Sequence, residues 1–299
     1  MLERDLRPRG PYRLPPAGRD GIVRRRDGAL ARVLHWGADP VVVHAWPRPG
    51  AVRVRSVGSS HEAAQHGLDR MRFALCLDHD LAPFHARFRR DRLIGPIIRR
   101  FPWVRPRRRA EPFEALAWAI TEQLIDTERA QAIQRRLVWR YGRESPCRGF
   151  RDAPSPSRLA GRAPAELQSC DLSAGRSLAL VTAAREVASG RVDLAEEESS
   201  WRRLRTIRGI GPWTLECLAL HGQGRDDQLP AGDLAYLKLV GRLTGLHRRA
   251  TEDEVRRYFA PYAPFAALAG LYLLVAERHA TTPRAGSRAR GPAPAAARW

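Results

Sequence analysis

Lysine is almost missing from this chain of 299 residues: Lys238 is the only one. Any chemistry that needs a side-chain amine therefore has a single candidate. Cysteine is sparse, at Cys76, Cys147, Cys170 and Cys217, and no two of the four form a CxxC pair. That spacing excludes a disulfide framework and offers nothing to an iron–sulfur cluster or a cysteine-held metal. No run of residues approaches the ~18 apolar positions of a membrane helix, and the opening MLERDLRPRGPYRLPPAGRDG has no apolar stretch of the kind a secretory signal contains. A cytoplasmic, reducing compartment without membrane contact is the expectation from these absences.

Positive charge is abundant. Lys+Arg number 52 and Asp+Glu 32, for a net charge of +20. Such a field favours a polyanionic partner, either nucleic acid or an anionic membrane surface, and charge does not choose between them. Arg, Ala, Gly and Pro rise together, as genomic base composition alone would make them. A chain that is 43% hydrophobic and 28% charged is globular in balance, with length for about two domains.

The fold class expected is α+β, a small antiparallel sheet domain followed by a mostly helical unit. Residues 1–10 are charged and carry proline, and 280–299 hold mainly Ala, Pro, Gly and Arg; both ends are expected to be disordered. Between Gly28 and Val57, the runs ALARVLHW, PVVVHAW and AVRVRSV alternate between turn signals and predict three strands of a mixed α/β domain over 11–80. Helical spacing resumes after Ser59 and Ser60, either of which suits an N-cap. From Leu81 to 279 the strand signal is gone and the chain reads as one all-helical region. Its clearest helices include Pro112 to Thr121, Thr127 to Tyr141, Ser173 to Ser189, Ser200 to Ile207, Trp213 to Leu220, Leu234 to Leu243, Glu252 to Phe259 and Pro264 to Arg278.

His61-Glu62-Ala63-Ala64-Gln65-His66 imitates a zinc-binding HExxH, but its histidines are five positions apart. On a helix that separates them by about 140°, too far to share an ion. Asp78, His79 and Asp80 read as helix-boundary capping.

The informative stretch is Leu204-Arg205-Thr206-Ile207-Arg208-Gly209-Ile210-Gly211-Pro212-Trp213-Thr214, within a helix, turn and helix over 200–220. Gly209 and Gly211 permit positive φ and close approach, Ile210 can anchor the turn, and Pro212 suits a first helical turn. Free N–H groups at such a turn form a nest for a phosphate oxygen, with Arg205 and Arg208 adding charge. The same glycines would serve a plain helical hairpin equally well. Further on, Asp233 stands before Leu234 at a helix start, where the dipole and free N–H groups favour the charged carboxylate. Taken alone, it is an ordinary cap.

Together these motifs resemble the helix-hairpin-helix DNA glycosylase superfamily, whose hairpin is followed about twenty residues later by an essential aspartate. Glu111 through Ile125, Pro154 through Asp171 and the sheet region are similar to the bacterial 3-methyladenine DNA glycosylase II branch, and the likeness spans roughly 11 to 279. It implies that Asp233 is the catalytic aspartate, that Gly209, Ile210, Gly211 and Thr214 belong to the phosphate-gripping hairpin, and that Leu124 is an apolar wedge entering the duplex where the damaged nucleotide leaves. Without the likeness, Leu124 reads as a buried loop leucine. The resemblance also places Trp213, Cys217, Tyr272, Leu274 and Gln123 around the substrate pocket. Cys217 and Leu274 stand where the subfamily has pocket aromatics, which unsettles the base preference.

Trp213 occupies the position where bifunctional members carry a nucleophilic lysine. Lys238 lies five residues after Asp233, about 140° round the helix. The resemblance therefore implies a monofunctional hydrolase acting on alkylated purines in double-stranded DNA during base excision repair, expected as a monomer. It implies no side-chain metal and no cofactor beyond a monovalent cation, K+ or Na+, on the Arg208 to Gly211 backbone. A DNA-structure binder without catalysis, or a glycosylase for another lesion such as deaminated purines, fits the same residues.

Overall fold

The computed structural model describes residues 1–145 and 149–281. Cys147 and the greater part of the 280–299 tail lie outside the described residues. Five antiparallel strands form one sheet in the order β1-β5-β4-β3-β2: β1 Leu2–Leu6, β2 Arg24–Arg26, β3 Ala29–Trp36, β4 Asp39–Arg48 and β5 Ala51–Val57. The three alternating runs in the sequence are β3, β4 and β5.

The first ten residues are not the disordered segment expected. Leu2 to Leu6 pair with β5, and cross-strand charge explains why so polar a segment holds an edge. Arg53 grips the Asp5 carboxylate with two bonds of 2.6 Å, and Arg55 reaches Glu3 at 2.6 Å. Leu2 is buried beneath them.

Helix α1, His61–Ala74, lies on the sheet and starts at Ser60, whose hydroxyl accepts from the Ala63 N–H. Its Gly67 has no room for a side chain: a Cβ there would stand 2.4 Å from Val41 Cγ1 and 2.5 Å from Ser56 Oγ. Glycine inside this helix is what lets its backbone reach the strands.

Twelve more helices follow among the described residues. α2 Ala82–Phe88 and α3 Ile94–Arg100 precede α4 Pro112–Glu122 and α5 Thr127–Tyr141. Next come α6 Pro156–Ala160, α7 Pro164–Gln168, α8 Ala174–Ala188, α9 Glu197–Leu204 and α10 Pro212–Leu218, then a π turn at Ala219–Gln223. α11 Leu234–Leu243, α12 Glu252–Phe259 and α13 Ala266–Thr281 complete the chain. No single helix among the described residues is long and apolar enough to cross a membrane.

The helical region, expected as one unit over 81–279, contains two apolar cores. The first lobe gathers Leu116, Trp118, Leu137, Leu180, Leu204, Ile210 and their neighbours from α4 to α10, joined by Ile22 from the segment between β1 and β2. The second lobe is discontinuous. Phe84, Phe88 and Ile94 from α2 and α3 pack with Tyr236, Val255, Phe259 and Leu268 from the last three helices. The chain leaves this lobe, builds the first, and returns.

A buried ionic network fixes the sheet to the first lobe. Arg32 on β3 donates to Glu114 Oε2 on α4 at 3.1 Å and to Asp152 Oδ1 at 3.2 Å, and His35 meets Asp152 Oδ2 at 3.1 Å. Arg109, ahead of α4, donates to Asp20 Oδ2 at 2.7 Å, and the Trp118 indole adds 3.2 Å to the same oxygen. Removing one member of such a set strands the others without solvent. α4 is thereby held in place, and the loop after it carries the site.

Candidate active site

Three pieces lie together: the turn joining α9 to α10, the loop joining α4 to α5, and the start of α11. In the turn, Ile210 is buried in the first core, as its apolar side chain between two glycines suggests. Only Gly209 takes positive φ, at 92°. Gly211 is extended instead, with φ −104° and ψ −175°, because it is the N-cap of α10 and leads into Pro212. A Cβ on Gly211 would meet nothing within 4 Å, so the space in front of it is open. Among the described residues the N–H groups of Gly209 and Gly211 donate no hydrogen bond, and Arg205 and Arg208 are exposed without side-chain partners. Vacant N–H donors beside two open cations make an anion site. Of the backbone carbonyls over 208–211, Gly209 O accepts from Gln123, and Gly211 O from Thr214 and Leu215.

The loop after α4 presents Leu124 wholly to solvent, at 104% exposure and φ 56°. A leucine in the left-handed region costs about 1 kcal/mol, and neighbours hold it there. Arg176 donates to the carbonyls of Thr121 at 2.9 Å and Gln123 at 3.3 Å, and Asp126 caps α5 through the Arg129 N–H at 2.8 Å. Gln123 was expected in the substrate pocket. Its amide is instead committed to the hairpin, with 2.7 Å to Gly209 O and 2.8 Å to the Thr214 hydroxyl. Thr214 is correspondingly buried. Loop and turn are one rigid block.

Asp233 is the N-cap of α11. Its Oδ1 accepts from the Ala235 N–H at 2.8 Å, and its own N–H is satisfied by Pro230 O at 2.9 Å. Oδ2 has no hydrogen-bond partner among the described residues. Trp213, partly exposed on α10, packs beside Gly232, where a Cβ would lie 3.8 Å from Trp213 Cβ. Its indole Nε1 is buried without a partner. Cys217, one turn further, is buried outside both apolar cores, and burial, Glu122 and Asp233 together push its thiol up. Tyr236 on α11 is pushed up by burial and then by Asp233 and Cys217.

Two expected pocket residues pack with the second core. Tyr272 is completely buried in the second core, its hydroxyl 2.8 Å from His85 Nε2 and its ring against Phe84, so it has no face to offer a substrate. Leu274 is half-buried and packs on that core. Lys238 is exposed on the outer side of α11, whose inner side buries Tyr236, Leu239 and Val240.

The residue the sequence reading missed is Glu122, the last residue of α4. It interacts electrostatically with Asp233 and Cys217. A signal was present, since an acidic side chain in the final turn sits at the unfavourable end of the helix dipole. In the HExxH-like segment, His66 lies 3.3 Å from Glu111 and tilts against the Trp36 ring. Among the described residues no group of three His, Cys, Asp or Glu is placed to hold a metal ion.

Comparison with known proteins agrees with this architecture. Residues 117–264 match the family described as HhH-GPD superfamily base excision DNA repair protein. The chain is 27% identical over 206 residues to a DNA-3-methyladenine glycosylase of Bacillus subtilis, covering 66% of this chain and 67% of that protein. The fold is that of the 3-methyladenine DNA-glycosylase from Archaeoglobus fulgidus, with TM-score 0.78 at 21% identity over 94% of this chain and all of the other. The 3-methyladenine DNA glycosylase Mag1 of Schizosaccharomyces pombe, solved with abasic DNA, aligns with TM-score 0.54 at 26% identity, covering 63% and 92% respectively.

Proposed function

Because residues 117–264 of this chain form an HhH-GPD superfamily domain of base excision DNA repair proteins, we propose that it is a DNA glycosylase hydrolysing the N-glycosidic bond of alkylated purines in duplex DNA. Relatives named 3-methyladenine DNA glycosylases support the reaction class. The observation that carries the reading is the Asp233 carboxylate, anchored through Oδ1 with Oδ2 unengaged, beside a block that couples an exposed leucine to an anion site.

In this reading the Gly209 to Gly211 turn, with Arg205 and Arg208, grips a backbone phosphate. A monovalent cation on the 208–211 backbone would add charge facing the same phosphate. Leu124 fills the stack vacated by the flipped nucleotide. Asp233 lies against the sugar, where its charge stabilises the oxocarbenium-like state at C1′ and orients water for attack. Trp213 offers an aromatic face to an electron-poor base. An N3- or N7-alkylated purine carries positive charge and leaves as a neutral base, so the bond breaks with little further help. With Trp213 on α10 and Lys238 on the outer side of α11, water is the nucleophile and the abasic strand remains intact.

Release of free base from a methylated duplex tests this. The wild-type chain should liberate methylpurines, and Asp233→Asn should lose at least about a thousandfold in rate while binding DNA as before. A wild-type chain that binds the duplex and liberates nothing is a DNA-structure binder, and the proposal fails.

A further inference from the structure

α10 and α12 belong to different cores. α10 buries Leu215 and Leu218 in the first, and α12 buries Val255 and Phe259 in the second. One guanidinium joins them. Arg256 on α12 donates from Nη2 to Glu216 Oε1 on α10 at 2.5 Å, and to Glu252 Oε1, one turn back on its own helix, at 2.6 Å. The Glu216 side chain is only 7% exposed, and its Oε2 is buried with no hydrogen-bond partner among the described residues. A carboxylate in that place loses hydration that a surface residue would keep, so its cationic partner matters to it. Burial pushes the Glu216 carboxyl up, and Arg256 opposes that rise.

Glu252 extends this contact to the segment leading into Asp233. A Cβ on Gly232, the residue before it, would lie 3.3 Å from Glu252 Oε2 and 3.8 Å from Trp213 Cβ. Gly232 thus stands against a side chain of α12 and a side chain of α10 at once. The Asp233 carboxylate itself bonds only within the start of α11, through Oδ1 to the Ala235 N–H, among the described residues. Its place relative to the hairpin therefore depends on how α10 and α12 are held together.

We infer that Glu216 and Arg256 are positioning residues, an ionic latch between the lobes that holds Asp233 at its working distance from the hairpin turn and Leu124. This rests on the glycosylase reading and adds to it two residues that act through Asp233. A fully exposed pair would be loose and screened by salt. Here one partner is buried and the other is also held by Glu252, which makes the pair short and constrained. α10 begins at the hairpin turn, so its tie to α12 carries the position of a gripped strand to the carboxylate. The turn and Arg208 stay with the first lobe whether the latch is closed or open, and strand binding should not depend on it.

The test uses full-length wild type, Arg256→Ala, Glu216→Gln and the double variant Glu216→Gln with Arg256→Ala. Each is measured for single-turnover release of 7-methylguanine, for binding to an undamaged duplex and for thermal melting. Arg256→Ala strands the Glu216 carboxylate, so melting temperature and release should both fall. In the double variant the stranded charge is gone but the latch is still open. Its melting temperature should return most of the way to wild type while release stays at least about tenfold down, with binding within about twofold of wild type throughout. Glu216→Gln, whose amide oxygen can still accept from Arg256, should keep more of the release than Arg256→Ala. Release that recovers together with the melt would make the pair a purely structural tie, release that never falls would remove it from the site, and weakened binding would make Arg256 a DNA contact; each overturns the inference alone. A wild type that releases no base overturns the glycosylase reading itself.

Discussion

The Gln123 side chain reaches from the loop after α4 to the carbonyl of Gly209, 2.7 Å away, and so ties the exposed leucine beside it to the hairpin turn. One amide sets the distance between Leu124 and the hairpin turn. Gln123→Ala should cost about 1–2 kcal/mol in chemical unfolding, for two lost hydrogen bonds. Base release should fall further than stability explains, since misplacement near a reacting centre is expensive. Unfolding curves and single-turnover rates would show the two effects separately.

Leu124 touches nothing in the folded chain, and its backbone is strained. Leu124→Gly should therefore melt at or slightly above the wild-type temperature, the relieved φ offsetting the greater freedom of the unfolded chain. Base release should drop at least about tenfold. A melt that falls by several degrees would mean the side chain supports the fold.

Arg208 is exposed beside the turn, with no side-chain partner among the described residues. If it meets a phosphate, Arg208→Ala should weaken binding to damaged and undamaged duplexes alike and reduce the logarithmic salt slope by about 1. Titrations at several salt concentrations measure this. An unchanged slope would remove Arg208 from the interface.

His221, in the π turn after α10, enters the folded state neutral. Burial, then Arg109, pulls it down to about 4, and its Nδ1–H donates to Arg107 O at 2.7 Å. Between pH 6.5, its ordinary value, and about 4, the unfolded chain takes up a proton that the folded chain refuses. Stability should fall as pH drops through that window, by up to roughly 3 kcal/mol. His221→Asn, which retains a donor for Arg107 O, should flatten the decline when unfolding is followed across the window.

Local order was legible where side chains and backbone solve a local problem. Thr127–Tyr141 and Glu252–Phe259 begin where Asp126 and Thr251 cap them, and the alternating strands follow from which face must be dry. What escaped depends on distant partners. LERDL looks soluble until Arg53 and Arg55 are placed opposite it. Tyr272 looked available until His85 and Phe84 closed over it. Gln123 looked like a pocket residue because nothing in its own segment says that Gly209 lies within reach. Glu122 was concealed by its apolar helix, although standing at the wrong end of that helix was a clue.

The lobe that contributes Asp233 is made from two stretches of chain separated by the whole of the other lobe. During synthesis α2 and α3 emerge early and wait, their apolar faces uncovered, until α11, α12 and α13 leave the ribosome. The second core is thus completed last. A truncated product would retain the hairpin turn but lack Asp233.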